Sequence, residues 1–225
     1  GVNCIARYLN SPFAKELVKY RVQCLTPDLR TGFQFGDSGG VGGYNAPCWL
    51  FAARHHLVNE QAALEALCDN NPKAFEFGWW NILWKDPTVT GGKVADLPRT
   101  SIYPDLGLLY VRDRWDDKGV AAMFKCGPLG GYLLNKYRNT NEFKYVNVAH
   151  DDPDANSFVI FSQGEFLAET DRYSKSKKSV NHNTVLVNGK GQMVAGRPEG
   201  LAFAQPASGK QDMSKLAQLT AYLAT

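Results

Sequence analysis

The sequence predicts an α+β fold in two regions, helical over residues 1–98 and antiparallel sheet over residues 99–225. Two observations carry this. Residues 3–25 place Ile5, Leu9, Phe13, Leu17, Val18 and Val22 at helical spacings. From about residue 99 the apolar residues alternate in short runs: SIYPDLGLLYVRD, GVAAMFKCG, KYVNVAH, NSFVIFSQGEFLAE and NTVLVNG. Between the two regions the Pro- and Gly-containing stretch KDPTVTGGKVADLP has the composition of a seam, which sets the boundary near residue 98.

Within the helical region Pro12, after Ser11, must begin a turn or a new helix. After the loop GDSGGVGGY come two further helical stretches, APCWLFAARHHL and NEQAALEALCDN. Asn59 is the expected cap of the second, with Glu60 and Gln61 in its first turn. A last helix is expected over residues 212–223. It ends without a cap, and the chain opens in helix without a methionine, so a piece of a longer protein is expected. No repeat of twenty to fifty residues is visible, which disfavours a solenoid or propeller.

At 225 residues, 44% hydrophobic and 21% charged, the chain is in the globular range. A net charge of +3 is too small and too dispersed to argue for nucleic acid. No apolar run is long enough for a membrane span, and the first twenty residues lack the order of a signal peptide. The five cysteines are odd in number and lack close-pair metal spacing, so buried free thiols are expected. They leave the compartment undecided.

The informative segment is residues 146–192, where ionisable residues repeatedly interrupt good strands. His150, Asp151, Asp152 and Asp154 are followed by Glu169, Asp171, Arg172 and Tyr173, then by His182. If the three strands are neighbours, one small volume receives them all. Asp152, Glu169 and His182 are the types of ligand that zinc or manganese needs. On spacing alone the plainer reading is a turn around Pro153 and a satisfied core histidine. His150 and Tyr173 can form an acid/base pair, because an imidazole titrates near neutrality and a phenol beside a cation ionises more readily. Arg172, Lys175, Lys177 and Lys178 make a basic cluster that suits either a solvated loop or attraction of a polyanion.

The loop GFQFGDSGGVGGY matches neither a dinucleotide fingerprint nor a P-loop, and nucleotide binding is rejected. Asp37 and Tyr44 could line a glycan groove. Trp49, Trp79, Trp80 and Trp84 are candidates for stacking on sugar rings, with most expected in the core. His55 and His56 sit on a predicted helix beside apolar residues and are expected to be structural.

The blocks HDDPDANSF, GEFLA, DRY and HNTVLVNGKGQ, in this order, resemble the signature of the heparinase II/III-like polysaccharide lyases. DLGLLYVRDRWDD and FKCGPLGGYLLNKYRN resemble the strands that open that family's sandwich, and residues 1–90 the end of its helical toroid. The likeness leans to the branch with exo-acting oligoalginate lyases. It implies the C-terminal part of an (α/α) toroid over 1–98, followed by an antiparallel β-sandwich over 99–225 that is cut short. It also implies an uronate-containing acidic glycan as partner, with alginate oligomers favoured, and a periplasmic or secreted location.

The implied reaction abstracts the proton alpha to a uronate carboxylate and eliminates the 4-linked sugar. His150 matches the family's catalytic histidine on the sandwich, and Tyr173 a tyrosine facing the same cleft. Metal ligands map to Asp152, Glu169 and His182. Asp152 and Glu169 depart from the family's usual histidine and aspartate, which leaves open a structural zinc, a harder cation such as manganese or calcium, or no metal. Asn135, Lys136 and Arg138, in what reads as a loop, and Arg172 are candidates for holding substrate acids. The family's principal catalytic tyrosine falls upstream of Gly1 by rough spacing, so the isolated chain is expected to be inactive. A uronyl epimerase of the same architecture, or a non-catalytic homologue that binds acidic glycan, stays open as an alternative.

Overall fold

The computed structural model describes residues 2–36, 46–75, 82–128, 130–140, 152–171, 178–194 and 197–198. Helix α1 spans Val2–Leu9 and α2 spans Pro12–Gln23. The break between them is the one Pro12 requires. Ser11, in extended conformation, accepts from the Ala14 amide at 3.3 Å, and Pro12 occupies the first turn, where no amide donor is needed. Ala14, Val18 and Val22, four residues apart, form the fully buried stripe of α2.

Helices α3 (Ala46–Arg54) and α4 (Val58–Asn70) follow. Asn59 does not cap α4: the helix begins at Val58 with Leu57 at its cap position, without a side-chain bond. The Asn59 carboxamide oxygen instead accepts from the Lys93 amide at 2.9 Å, tying down the seam. Gln61, buried on α4, donates to Asp86 O and Val89 O at 3.1 and 2.7 Å.

Strands β1 (Thr100–Tyr103), β2 (Leu108–Arg112), β3 (Val120–Lys125), β4 (Ser157–Ser162) and β5 (Glu165–Ala168) form an antiparallel meander in sequence order. A short pair, β6 (Met193–Val194) and β7 (Arg197–Pro198), lies apart from it. The expected strand KYVNVAH and the helix at 212–223 lie outside the described residues. NTVLVNG is not a strand within this sheet. Asn188 and Gly189, both at positive φ, close a tight turn bridged by Val187 and Lys190.

The segment GGYLLNKYRN is neither loop nor strand but ends in helix α5 (Tyr132–Thr140). Leu, Lys and Arg are good helix formers, and Asp105 supplies the cap, its carboxylate accepting from the Leu133 amide at 2.7 Å. Gly107 closes the β1–β2 turn against β3: at φ 64° a β-carbon would stand 2.0 Å from Cys126 O.

Register puts Leu108, Tyr110 and Arg112 beside Ala121, Met123 and Lys125, and these beside Ser157, Val159 and Phe161, on one buried face. That face packs on the helices in one continuous core. Phe33 meets Tyr110 and Phe166 with ring centres 5.9 and 6.1 Å apart, and Tyr20 meets Tyr103 at 4.9 Å. The buried Arg112 guanidinium reaches from β2 to the end of α2, donating to Gln23 O at 2.6 Å and Leu25 O at 2.9 Å, and stacks 3.7 Å from the Trp115 ring. It thereby neutralises the negative end of that helix. No helix among the described residues is long and apolar enough to cross a membrane.

Candidate active site

The chemistry-bearing segments meet at the end of β3. Lys125 is the last inward residue of that strand, and inward alternation of Ala121, Met123 and Lys125 carries a lysine into the interior at 5% exposure. Its ammonium bonds Asp154, which is fully buried in the turn that leads into β4. A charge this deep persists only with a partner. The ammonium also lies 5.5 Å from the centre of the Phe35 ring, at the stem of the glycine-rich loop.

The turn Asp152–Asn156 is held from its other side too. The Asp154 amide donates to Asp152 O at 2.8 Å, and Asn156 adopts a left-handed φ of 63°. Ala155 is clamped by the Gln192 carboxamide, which accepts from its amide at 3.2 Å and donates to its carbonyl at 2.7 Å. Thr184 Oγ1 donates to the same carbonyl at 2.8 Å, and the Gln192 amide donates to Ser179 Oγ at 2.9 Å. Asn183 bridges the backbone on both sides of the β4–β5 hairpin, donating to Phe158 O at 3.0 Å and Glu169 O at 2.9 Å.

Thus the described parts of HDDPDANSF, GEFLAET and SVNHNTVLVNGKGQ do come together, though not as three neighbouring strands. The third block arrives as a single helical turn over Ser179–Asn181 followed by irregular chain. Its asparagine, threonine and glutamine side chains replace the backbone ladder as the means of attachment.

The proposed ligand set does not assemble as a metal centre. Asp152 and His182 are buried, whereas Glu169 is exposed. His182 Nδ1 lies 2.5 Å from Thr170 Oγ1, and its Nε2 is buried without a hydrogen-bond partner. Among the described residues no three or more His, Cys, Asp or Glu side chains are grouped to hold a metal ion. As placed, Asp152, Glu169 and His182 do not fit one.

His150, Asp151, Arg172, Tyr173, Lys175 and Lys177 lie outside the described residues, as do Asp37, Tyr44, Trp79 and Trp80. Asn135, Lys136 and Arg138 fall on α5; Lys136 is exposed, and the side chains of the other two are outside the description. Lys178 is exposed. Trp49 is 2% exposed, so its ring is not free to stack on a sugar, and Trp84 packs against the core. Beside Trp49 a cleft of 490 Å³ is lined by Glu65, Asp69, Ile82 and Lys85. His55 is structural, its Nε2 lying 2.9 Å from Leu9 O.

Lys125, Gln192 and Phe35 were not among the residues that sequence reasoning singled out. Lys125 had a signal, a lysine in phase with the apolar positions of an alternating strand.

No known protein family and no curated protein sequence matches the chain. Among solved structures it is similar to a heparan sulfate lyase from Pedobacter heparinus, at 16% identity and a TM-score of 0.41, covering 77% of this chain. A mutant of that lyase gives 17% and 0.46 over the same share. A structure described as heparinase III gives 12% and 0.42, covering 84% of this chain. The chain spans 23% to 27% of the length of these structures.

Proposed function

We propose that this chain belongs to a polysaccharide lyase of the heparinase II/III-like type, which cleaves a uronate-containing acidic glycan by β-elimination. The observation that carries the reading is the convergence just described: Lys125, Gln192 and Thr184 bond the one turn, and Asn183 ties the third block to Phe158 and Glu169 beside it. The segment immediately before that turn bears His150, the base or acid that the resemblance assigns, with Tyr173 as its counterpart.

The chemistry has two demands. A proton alpha to a carboxylate is weakly acidic, and the enolate-like charge that follows must be neutralised by groups already in place. Abstraction of that proton and departure of the 4-linked oxygen leave an unsaturated uronate without consuming water. Arg172, Asn135, Lys136 and Arg138 are proposed to hold the substrate carboxylates. Alginate oligomers are the favoured substrate, because a net charge of +3 suits a non-sulfated polymer better than a sulfated one. A periplasmic or secreted location, the toroid and sandwich division near residue 98, and a structural divalent ion belong to the same proposal. The ion would require the exposed Glu169 carboxylate to turn inward.

The test is ultraviolet absorbance of unsaturated uronate, using the natural polypeptide that carries this sequence with alginate, heparan sulfate and chondroitin sulfate in parallel. A rise with alginate is expected, and it should disappear in His150→Ala. A folded protein silent on all three polymers would remove the lyase reading.

A further inference from the structure

The Lys125–Asp154 pair joins two things that the fold does not otherwise need to join. β3 is already paired along its whole length with β4 and from Ala121 to Lys125 with β2, and the inward residues Met123 and Val159 beside it are fully packed. A methionine at 125 would fill the same space without a charge. A buried ion pair adds little net stability over such an apolar replacement, so its presence here calls for another account.

That account lies in what the pair holds. Asp154 sits within the Asp152–Asn156 turn, whose far side is clamped by Gln192 and Thr184. Lys125 holds the near side and places its ammonium under Phe35, at the stem of the glycine-rich loop. Ser157, the cross-strand partner of Lys125, is fully buried with its hydroxyl unbonded, so Asp154 is the residue that fixes the ammonium in this geometry.

We propose that Lys125 is a positioning residue for the proton abstraction, an inference that rests on the lyase reading above. Its ammonium latches the turn carrying the histidine-bearing segment to the sheet and to the stem of the glycine-rich loop. It acts through Asp154 and the turn rather than on the substrate itself. Displacement of a catalytic group by about 1 Å costs on the order of 10²-fold in rate, so loss of the latch is read in turnover before it is read in folding.

The experiment compares the natural polypeptide that carries this sequence, as wild type, with its Lys125→Met and Lys125→Met/Asp154→Leu variants. The double variant removes both charges and leaves no buried orphan, so it folds even where the single variant does not. Oligosaccharides of alginate, heparan sulfate and chondroitin sulfate are the substrates, and amide hydrogen exchange of residues 152–156 is followed in parallel. The double variant is expected to melt near the wild-type temperature, to lose about 10²-fold in kcat with KM little changed, and to exchange faster over that turn. Wild-type kcat in the double variant would overturn the positioning role. If the wild type cleaves none of the substrates, the lyase reading fails by itself, and the exchange data still decide the latch. Unchanged protection of residues 152–156 then removes it, and faster exchange upholds it.

Discussion

Cys48 and Cys24 are sealed in the core, at 2% and 4% exposure, whereas Cys4 is exposed. Burial pushes the Cys48 thiol up from its ordinary 9.0 to about 11, and burial raises Cys24 as well. Between pH 9 and 11 the unfolded chain therefore loses the Cys48 proton while the folded chain holds it. The unfolded state binds fewer protons there, so stability is complete below pH 9 and declines as pH rises toward 11. Two pKa units at Cys48 amount to about 2–3 kcal/mol. Urea midpoints measured across this range should fall, and Cys48→Ala should flatten the decline while lowering the neutral-pH midpoint through its cavity. A midpoint that does not move between pH 8 and 10.5 would contradict the burial of these thiols. Their packing was legible because each lies among apolar neighbours in a helical pattern. The clamp on Ala155 was not, since a glutamine near the end of a glycine-rich run carries no local mark of a partner in a distant turn.

At the scale of elements, helices and strands with a clear apolar period were readable, and errors came where side chains replaced periodicity. Asn59 has the composition of a helix cap, yet Lys93 claims its oxygen from across the seam. The helix α5 was hidden because its cap, Asp105, comes from the β1–β2 turn rather than from the preceding residue. HNTVLVNG alternates like a strand, but Asn183 and Thr184 commit their side chains to Phe158 of β4, to Glu169 just past β5, and to Ala155. The β4–β5 hairpin shows what turn chemistry decides alone. Gln163 and Gly164 take φ 50° and 90°, the pattern of a two-residue turn that asparagine–glycine fills best. Gln163→Asn should stabilise the protein by about 0.5 kcal/mol, and Gly164→Ala should destabilise it by about 1–2 kcal/mol. Thermal melts of the two variants should shift in opposite directions, with equal shifts of one sign ruling out this turn.

The change from helix to strand that the sequence places near residue 98 is real as a change of secondary structure, since β1 begins at Thr100. Composition marks where the pattern changes; whether the core also divides there depends on contacts between residues far apart in the chain. Those contacts cross the seam densely. Arg112 holds Gln23 O and Leu25 O, Gln23 and Trp115 both donate to Pro98 O, and Cys24 lies 3.2 Å from the Tyr110 hydroxyl. The buried residues of α2, α3 and α4 and those of β2, β3 and β4 form one cluster. The two regions should therefore unfold together, with helical circular dichroism, tryptophan emission and amide exchange in α2 and β3 reporting one coincident transition in urea. Arg112→Met leaves two carbonyls buried without their donor, and should lower that single transition by about 2–4 kcal/mol while keeping the probes coincident. If the variant instead separates the helical signal from that of the sheet, then Arg112 is what couples two units that can each stand alone. If the wild type already shows two transitions, the shared core does not bind them into one.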